Sequence, residues 1–240
     1  MTILHDKDIR EPLFEYLDEL YGTIRILEEK NIGSSRADVM MVTFDGLYGI
    51  EIKSDADTYA RLSSQVKDYD RYYDFNYVVI GFSHTAHIAE HVPKHWGIIS
   101  ITMKDENSSF TLIREALPNP KMKWKKKLEL MWRPELAKLQ QLNMMPRYRD
   151  KSKAFVIEKI VERIENGKFD EDLIRRQISQ ILMERDYTMI EEELKEYKRS
   201  KIKEKKEKMK DPSSRDKLIA QRERARKNFR KKRTYTTKWL

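Results

Sequence analysis

Residues 36–53 read RADVMMVTFDGLYGIEIK, and this stretch decides the fold of the chain. Apolar residues lie on both sides of Asp45-Gly46, a dipeptide that favours tight turns between antiparallel strands. The pattern therefore predicts a β-hairpin with strands over 39–44 and 47–53. Directly after the hairpin, apolar residues at helical spacing predict an amphipathic helix over 58–73.

The charged side chains of this hairpin are predicted to leave one face of the sheet. Because side chains alternate along a strand, Glu51 and Lys53 point away from the face that the neighbouring isoleucines form. Asp38, on the adjacent strand, would bring a second carboxylate to the same side. Two close carboxylates repel each other unless a cation neutralises them, and Mg²⁺ suits such oxygen ligands. Lys53 could then orient a water or stabilise charge on a phosphate oxygen.

Three sequence elements resemble the PD-(D/E)xK nuclease superfamily: Asp38, then Glu51-Ile52-Lys53 after twelve intervening residues, then Gln65-x-x-x-Tyr69. The longer run EIKSDADTYARLSSQVKDYDRYYD resembles more narrowly a family of bacterial and phage proteins within that superfamily. The resemblance covers residues 8–140. It departs from the superfamily pattern at Ala37, where a proline would precede the aspartate.

The resemblance implies a restriction-endonuclease-like α/β fold and a deoxyribonuclease that depends on Mg²⁺ or Mn²⁺. The implied metal ligands are Asp38, Glu51 and, as a further candidate, the Ile52 carbonyl. Lys53 would assist the attacking water, and Gln65 would hold a water or a phosphate oxygen. A solvent-exposed Gln65 without a role is the alternative. Tyr69 is expected to pack in the core rather than to react.

Members of the superfamily often carry an additional glutamate ahead of the aspartate. Glu28 or Glu29, on a strand predicted over 23–29, is favoured over two glutamates of the first helix, and the sequence does not separate them. For each of them alone, a plain surface carboxylate is an equal alternative. Arg36 would contact a phosphate or pair with one of the site carboxylates, and a structural ion pair is the alternative. Arg61 lies on the same helical stripe as the glutamine of the motif.

The remaining patterns predict a mixed sheet flanked by helices. The run NYVVIGF over 76–82 is apolar throughout, which is typical of a central strand covered on both faces. Further strands are predicted over 96–103 and 110–113. Additional helices are predicted over 8–21, 128–141, 154–165 and 173–183.

Charge is unevenly distributed along the 240 residues. Residues 1–120 carry 12 Lys/Arg and 20 Asp/Glu, whereas residues 198–240 carry 19 Lys/Arg and 5 Asp/Glu. Two prolines, at 118 and 120, interrupt regular structure and mark a domain boundary. The predicted parts are an α/β nuclease-like domain over 1–118, a helical module over 119–190 and a basic C-terminal helix or disordered tail over 191–240.

The basic tail and a basic segment around Trp124 predict binding to nucleic acid, with DNA as the expected partner. A solvated helical surface is the alternative for both. The predicted contact residues are Lys123, Trp124, Lys125, Lys126, Arg222, Arg224, Arg226, Lys227, Arg230, Lys231, Lys232 and Arg233.

The composition limits the kinds of site and the cellular location that this protein can have. The chain has no cysteine, which excludes disulfides and thiolate metal sites. Because no long apolar segment is present, a soluble cytoplasmic protein without membrane contact is expected. The nuclease would act in phage or mobile-element biology, defence or DNA repair. Two other functions stay open: a nuclease-like protein that binds nucleic acid without cutting it, and a factor that contacts a host or defence protein. The helical region could also form a homodimer.

Overall fold

The computed structural model describes residues 4–104 and 107–185, which form a six-stranded sheet flanked by helices. The mixed α/β class predicted from the sequence is confirmed. The strands are β1 (Arg25–Ile32), β2 (Ser35–Val42), β3 (Leu47–Lys53), β4 (Phe75–Gly81), β5 (Gly97–Lys104) and β6 (Asn107–Arg114). The α-helices are α1 (Asp6–Tyr21), α2 (Leu62–Tyr72), α3 (Ile88–His91), α4 (Trp124–Glu129), α5 (Arg133–Leu142), α6 (Lys153–Glu165) and α7 (Glu171–Met183).

The strands follow chain order across the sheet, from β1 to β6. The neighbours of β4 both run parallel to it, whereas the β1–β2, β2–β3 and β5–β6 pairs are antiparallel. β4 is therefore the central strand that its apolar run predicts. Parallel neighbours need a crossover connection, and α2 provides it between β3 and β4.

Helices cover both faces of the sheet. α1 buries Ile9, Leu13 and Leu17, a stripe at every fourth residue, against the face that carries Ile50 and Ile52. The opposite face packs against α2 and α4–α7 in one continuous cluster of buried side chains. Each fully buried Leu or Ile contributes roughly 1.5–3 kcal/mol, so these two layers supply the main stabilisation of the fold.

The helices beyond residue 118 share that second core cluster with the sheet. Instead of the single helix predicted over 128–141, the chain forms α4 and α5. Pro134 explains the break, because its ring would clash with the Leu130 carbonyl in a continuous helix. The division into separate parts at residue 118 stays a prediction.

No helix within the described residues is both long enough and apolar enough to cross a bilayer. The basic region predicted over 191–240 lies outside the described residues. The same holds for its predicted contact residues, which are Arg222, Arg224, Arg226, Lys227, Arg230, Lys231, Lys232 and Arg233.

Candidate active site

The C-terminal end of β3 places two opposite charges on the α2 side of the sheet. As strand alternation predicts, Glu51 and Lys53 share this side, while Ile50 and Ile52 face α1. Both charged side chains are buried, Glu51 being 1% and Lys53 4% exposed. Lys53 Nζ donates to Glu51 Oε1 at 2.6 Å, so the two charges compensate each other in the sheet interior.

Asp38 joins this pair where β2 and β3 separate. The paired residues of the two strands end at Val39 and Ile50. Just beyond them, Asp38 Oδ2 accepts a hydrogen bond from the Ile52 backbone N–H at 2.9 Å. The Asp38 side chain is 23% exposed, which makes it the solvent-facing carboxylate beside the buried Glu51.

Two side chains of α2 hold the Glu51 carboxylate in place. Gln65 Nε2 donates to Glu51 Oε1. One helical turn later, the buried Tyr69 hydroxyl donates to Glu51 Oε2 at 2.7 Å and accepts from the Asp38 backbone N–H at 3.1 Å. Tyr69 packs in the core, as expected, but it also ties the two carboxylate-bearing strands together. The sequence analysis missed this positioning role, although the Gln-x-x-x-Tyr spacing was its signal.

The electrostatics of the site indicate a deficit of positive charge. Burial, and next the Glu51 carboxylate, raise the pKa of Asp38 to about 7, against the lowering effects of the Ile52 N–H and Lys53. Gln65 Oε1 is buried and accepts no hydrogen bond from any described residue. A buried acceptor without a donor costs about 1–3 kcal/mol. A bound cation would satisfy both groups.

The carboxylates of Asp38 and Glu51 and the Gln65 Oε1 atom offer oxygen donors at the site. The Ile52 carbonyl as a further ligand stays a prediction. Hard divalent cations take oxygen ligands, and Mg²⁺ keeps several waters beside one or two carboxylates. These residues therefore fit Mg²⁺ or Mn²⁺. Across residues 4–104 and 107–185, no three His, Cys, Asp or Glu side chains gather as a metal-binding group. Water would therefore fill much of the coordination shell.

A sequence model of the bacteriophage P4 protein cII family matches residues 3–219. The chain belongs to the bacteriophage P4 protein cII family. The phage association expected from the run that begins at Glu51 is thereby confirmed, while membership of the PD-(D/E)xK superfamily stays a prediction. No curated protein sequence matches the chain.

Among solved structures, this cII-family chain is similar to SfsA of Pyrococcus furiosus in complex with Ca²⁺. The two share 17% sequence identity, and the match covers 46% of this chain and 60% of SfsA, with a TM-score of 0.28. The chain thus spans less than two thirds of the length of that protein. A likeness at this TM-score supports no statement about the fold, the metal or the substrate.

Arg10 on α1 is a member of the site of this cII-family chain that the sequence analysis missed. Its guanidinium donates to Asp6 Oδ2 at 2.8 Å, to Glu28 Oε2 at 3.0 Å and to the Asp38 backbone oxygen at 3.3 Å. Its Nη2 lies 3.9 Å from Asp38 Oδ1. Glu28, one of the predicted accessory glutamates, is therefore linked to Asp38 through Arg10.

The other accessory candidates lie on the surface. Glu29 and Arg36 pair with each other at 3.1 Å, and their side chains are 51% and 61% exposed. This is the structural ion pair that was the alternative for Arg36. Glu29 has a φ of 52°, a positive value that interrupts the regular alternation of β1. Arg61 is exposed at the start of α2, one turn before Gln65.

The basic segment around Trp124 divides between the surface and the interior. The half-buried Trp124 ring packs against the core, with Lys127 Nζ and the Arg175 guanidinium carbon 5.3 and 5.8 Å from its centre. Lys126 donates to Glu129, and Lys125 lies 3.6 Å from Glu158. Lys123 is exposed. Contact of these residues with nucleic acid stays a prediction.

Proposed function

We propose that this protein hydrolyses phosphodiester bonds of nucleic acid with the help of a divalent cation, and that DNA is its substrate. The observation that carries the proposal is the convergence of Asp38, Glu51, Lys53 and Gln65 on one place at the end of β3. Two of these residues, Asp38 and Glu51, carry carboxyl groups, and the pKa of Asp38 is raised to about 7. Such perturbed groups are concentrated at functional sites.

Asp38 and Glu51, with the Ile52 carbonyl as a further candidate, would hold Mg²⁺ or Mn²⁺. The bound ion would act as a Lewis acid and make a water nucleophilic near neutral pH. Lys53 Nζ lies 2.6 Å from Glu51 Oε1, and it would stabilise negative charge that develops on a phosphate oxygen.

Gln65 is suited to orienting water or substrate. Its amide nitrogen is bonded to Glu51, while its oxygen Oε1 has no donor among the described residues. A free carbonyl oxygen next to a carboxylate can accept a hydrogen bond from a water and hold it in place. Tyr69 would act through Glu51 and Asp38, because it is fully buried and contacts both strands.

A cleavage assay of the purified full chain tests the proposal. Linear DNA, circular DNA, single-stranded DNA and RNA are each incubated with Mg²⁺ and, separately, with EDTA. Cleavage is expected only with the metal, and Lys53→Met should reduce its rate by more than 100-fold, in the range of a lost charge-stabilising group. Glu165→Gln, an exposed charge change on α6, is the matched control and should cut like the wild type.

Undiminished cleavage by Glu51→Gln, or none on any of the four substrates, would overturn the proposal. Membership of a phage protein family fits a role in phage or mobile-element biology, and the cleavage panel also identifies the substrate class.

One observation favours a second candidate, a protein that binds nucleic acid or a host protein without cutting. Glu51 is 1% exposed, and its two oxygens accept bonds from Lys53, Gln65 and Tyr69. A carboxylate engaged in this way can serve as a purely structural anchor. Under this alternative, Mg²⁺ would not raise the thermal midpoint of the wild type, whereas binding of an ion to the folded chain would raise it.

A further inference from the structure

A basic pocket lies beside α2 on the side away from the candidate active site. Its volume is about 360 Å³. It is lined by Lys67, Asp70, Arg71, Pro120, Lys121 and Lys123. Of this set, only Lys123 is among the contact residues predicted from the sequence, and Lys121 begins the same basic segment.

The four cations of the pocket come from two segments: Lys67 and Arg71 from α2, and Lys121 and Lys123 from the chain before α4. Lys67 and Arg71 are one helical turn apart on α2 and thus share a face. They lie about 200° around the helix from Gln65 and Tyr69, which each precede them by two residues. The pocket and the candidate active site therefore use opposite faces of the same helix.

The second segment is fixed against the C-terminal end of α2. Asn119 Nδ2 donates to the Asp70 backbone oxygen at 2.9 Å and to the Tyr73 backbone oxygen at 2.8 Å. Lys123 N donates to the Arg71 backbone oxygen at 3.0 Å. The backbone that carries Lys121 and Lys123 is thus held in place on α2, which preorganises the pocket before any ligand arrives.

The single carboxylate of the lining is already neutralised from within. Asp70 is 2% exposed and accepts bonds from His95, Trp96 and, at 3.0 Å, from Lys121 Nζ. Lys67 and Lys123 are exposed, and neither has an ion-pair partner within residues 4–104 and 107–185. Arg71 lies 3.7 Å from Asp68 Oδ1. The positive charge that the described residues leave unbalanced at the pocket is therefore that of Lys67 and Lys123.

We propose that this pocket binds phosphate groups of a nucleic-acid backbone, outside the place where the strand would be cut. The inference rests on the proposed function only in taking nucleic acid as the partner. Cations that line such a pocket give affinity that is independent of base sequence, because they contact phosphates and not base edges. The pocket would thus hold the strand while the opposite side of α2 faces the scissile bond.

The test compares two double variants of the full chain in EDTA, so that no cleavage intervenes. Lys67→Gln with Lys123→Gln removes two unpaired pocket charges, while Lys94→Gln with Lys168→Gln removes two exposed charges elsewhere. Binding of a fluorescent duplex is measured by anisotropy at several salt concentrations. Each lost phosphate contact lowers the slope of log K against log salt by about 0.9.

In the pocket variant, the slope of log K against log salt is expected to be shallower than in the wild type by about 1.8. In the control variant, the slope should change by about 0. Between 50 and 200 mM salt, the wild type should then lose about 12-fold more affinity than the pocket variant. Equal slopes for the two variants, or no binding of the duplex by the wild type, overturn the inference. Calorimetry with inorganic phosphate distinguishes free phosphate from backbone phosphate as the ligand. If the pocket variant loses binding of inorganic phosphate but binds the duplex like the wild type, the site takes free phosphate and the backbone assignment is wrong.

The same proteins separate this inference from the proposed function. If the protein cleaves with metal but the salt slope of the pocket variant equals that of the wild type, only the phosphate-binding pocket is refuted. If the salt slope becomes shallower as expected but the wild type cuts no substrate, only the nuclease function is refuted.

Discussion

Replacing Asp38 by asparagine is expected to stabilise the metal-free protein near pH 8. The pKa of Asp38 is about 7 in the folded chain, against 3.8 for the free side chain, because the carboxylate is buried next to Glu51. A raised folded-state pKa contributes stability that is complete below pH 3.8 and is lost as the pH rises through 7. About three pKa units correspond to about 4 kcal/mol. Screening at a side chain that is 23% exposed lowers this to about 3 kcal/mol. Asparagine keeps an oxygen for the Ile52 N–H and carries no charge.

Urea denaturation in EDTA, near pH 5 and near pH 8, measures this effect. Between the two conditions the wild type should lose about 2 kcal/mol more of its unfolding free energy than Asp38→Asn. Titrating groups that do not interact with Asp38 contribute equally in both proteins, so their contributions cancel in the comparison. Asp18→Asn, an exposed change on α1, is the matched control and should follow the wild type.

Two results would refute this reasoning. The first is an identical pH dependence in wild type and Asp38→Asn, which would mean that the Asp38 carboxylate titrates normally. The second is a variant that is less stable than the wild type near pH 8. That outcome would show that the negative charge of Asp38 supports the fold through Arg10 and the Ile52 N–H more than Glu51 opposes it.

Two further predictions concern stability. Tyr69→Phe removes the hydroxyl that bonds to Glu51 and to the Asp38 N–H, and should lower the unfolding free energy by about 1–3 kcal/mol; a change below 0.5 kcal/mol would show that these bonds do not support the site. Lys127→Met breaks the buried contact of 2.5 Å with Asp74 and should cost about 3 kcal/mol in urea denaturation. Lys125→Met, at an exposed lysine of the same helix, should lower the unfolding free energy by almost nothing. Equal losses of unfolding free energy for the two variants would contradict the burial of Lys127.

The strands and the core of the site could be predicted because their signals are local. Alternation along β3 put Glu51 and Lys53 on one side, and Asp45-Gly46 fixed which strand would lie beside them. The apolar run of β4 predicted a strand covered on both faces, and the structure has helices on both. Such patterns depend on residues that are neighbours in the chain.

The missed features depend on contacts between distant residues. Arg10 reaches Asp38 across 28 positions, and no periodicity announces such a pair. The basic run around Trp124 looked uniform, yet Lys127 turns inward because Asp74, 53 residues earlier, offers a buried carboxylate. Charge alone cannot distinguish a lysine that faces solvent from one that neutralises a buried acid.

Calorimetric titration of the full chain with Mg²⁺ tests most directly whether the buried carboxylates at the end of β3 form a cation site. One ion per wild-type chain is expected, with tighter binding near pH 8 than near pH 6, because Asp38 must give up its proton. Glu51→Gln should bind no ion while Glu165→Gln binds like the wild type. A wild type that takes up no ion, or a Glu51→Gln variant that binds as the wild type does, would contradict the account.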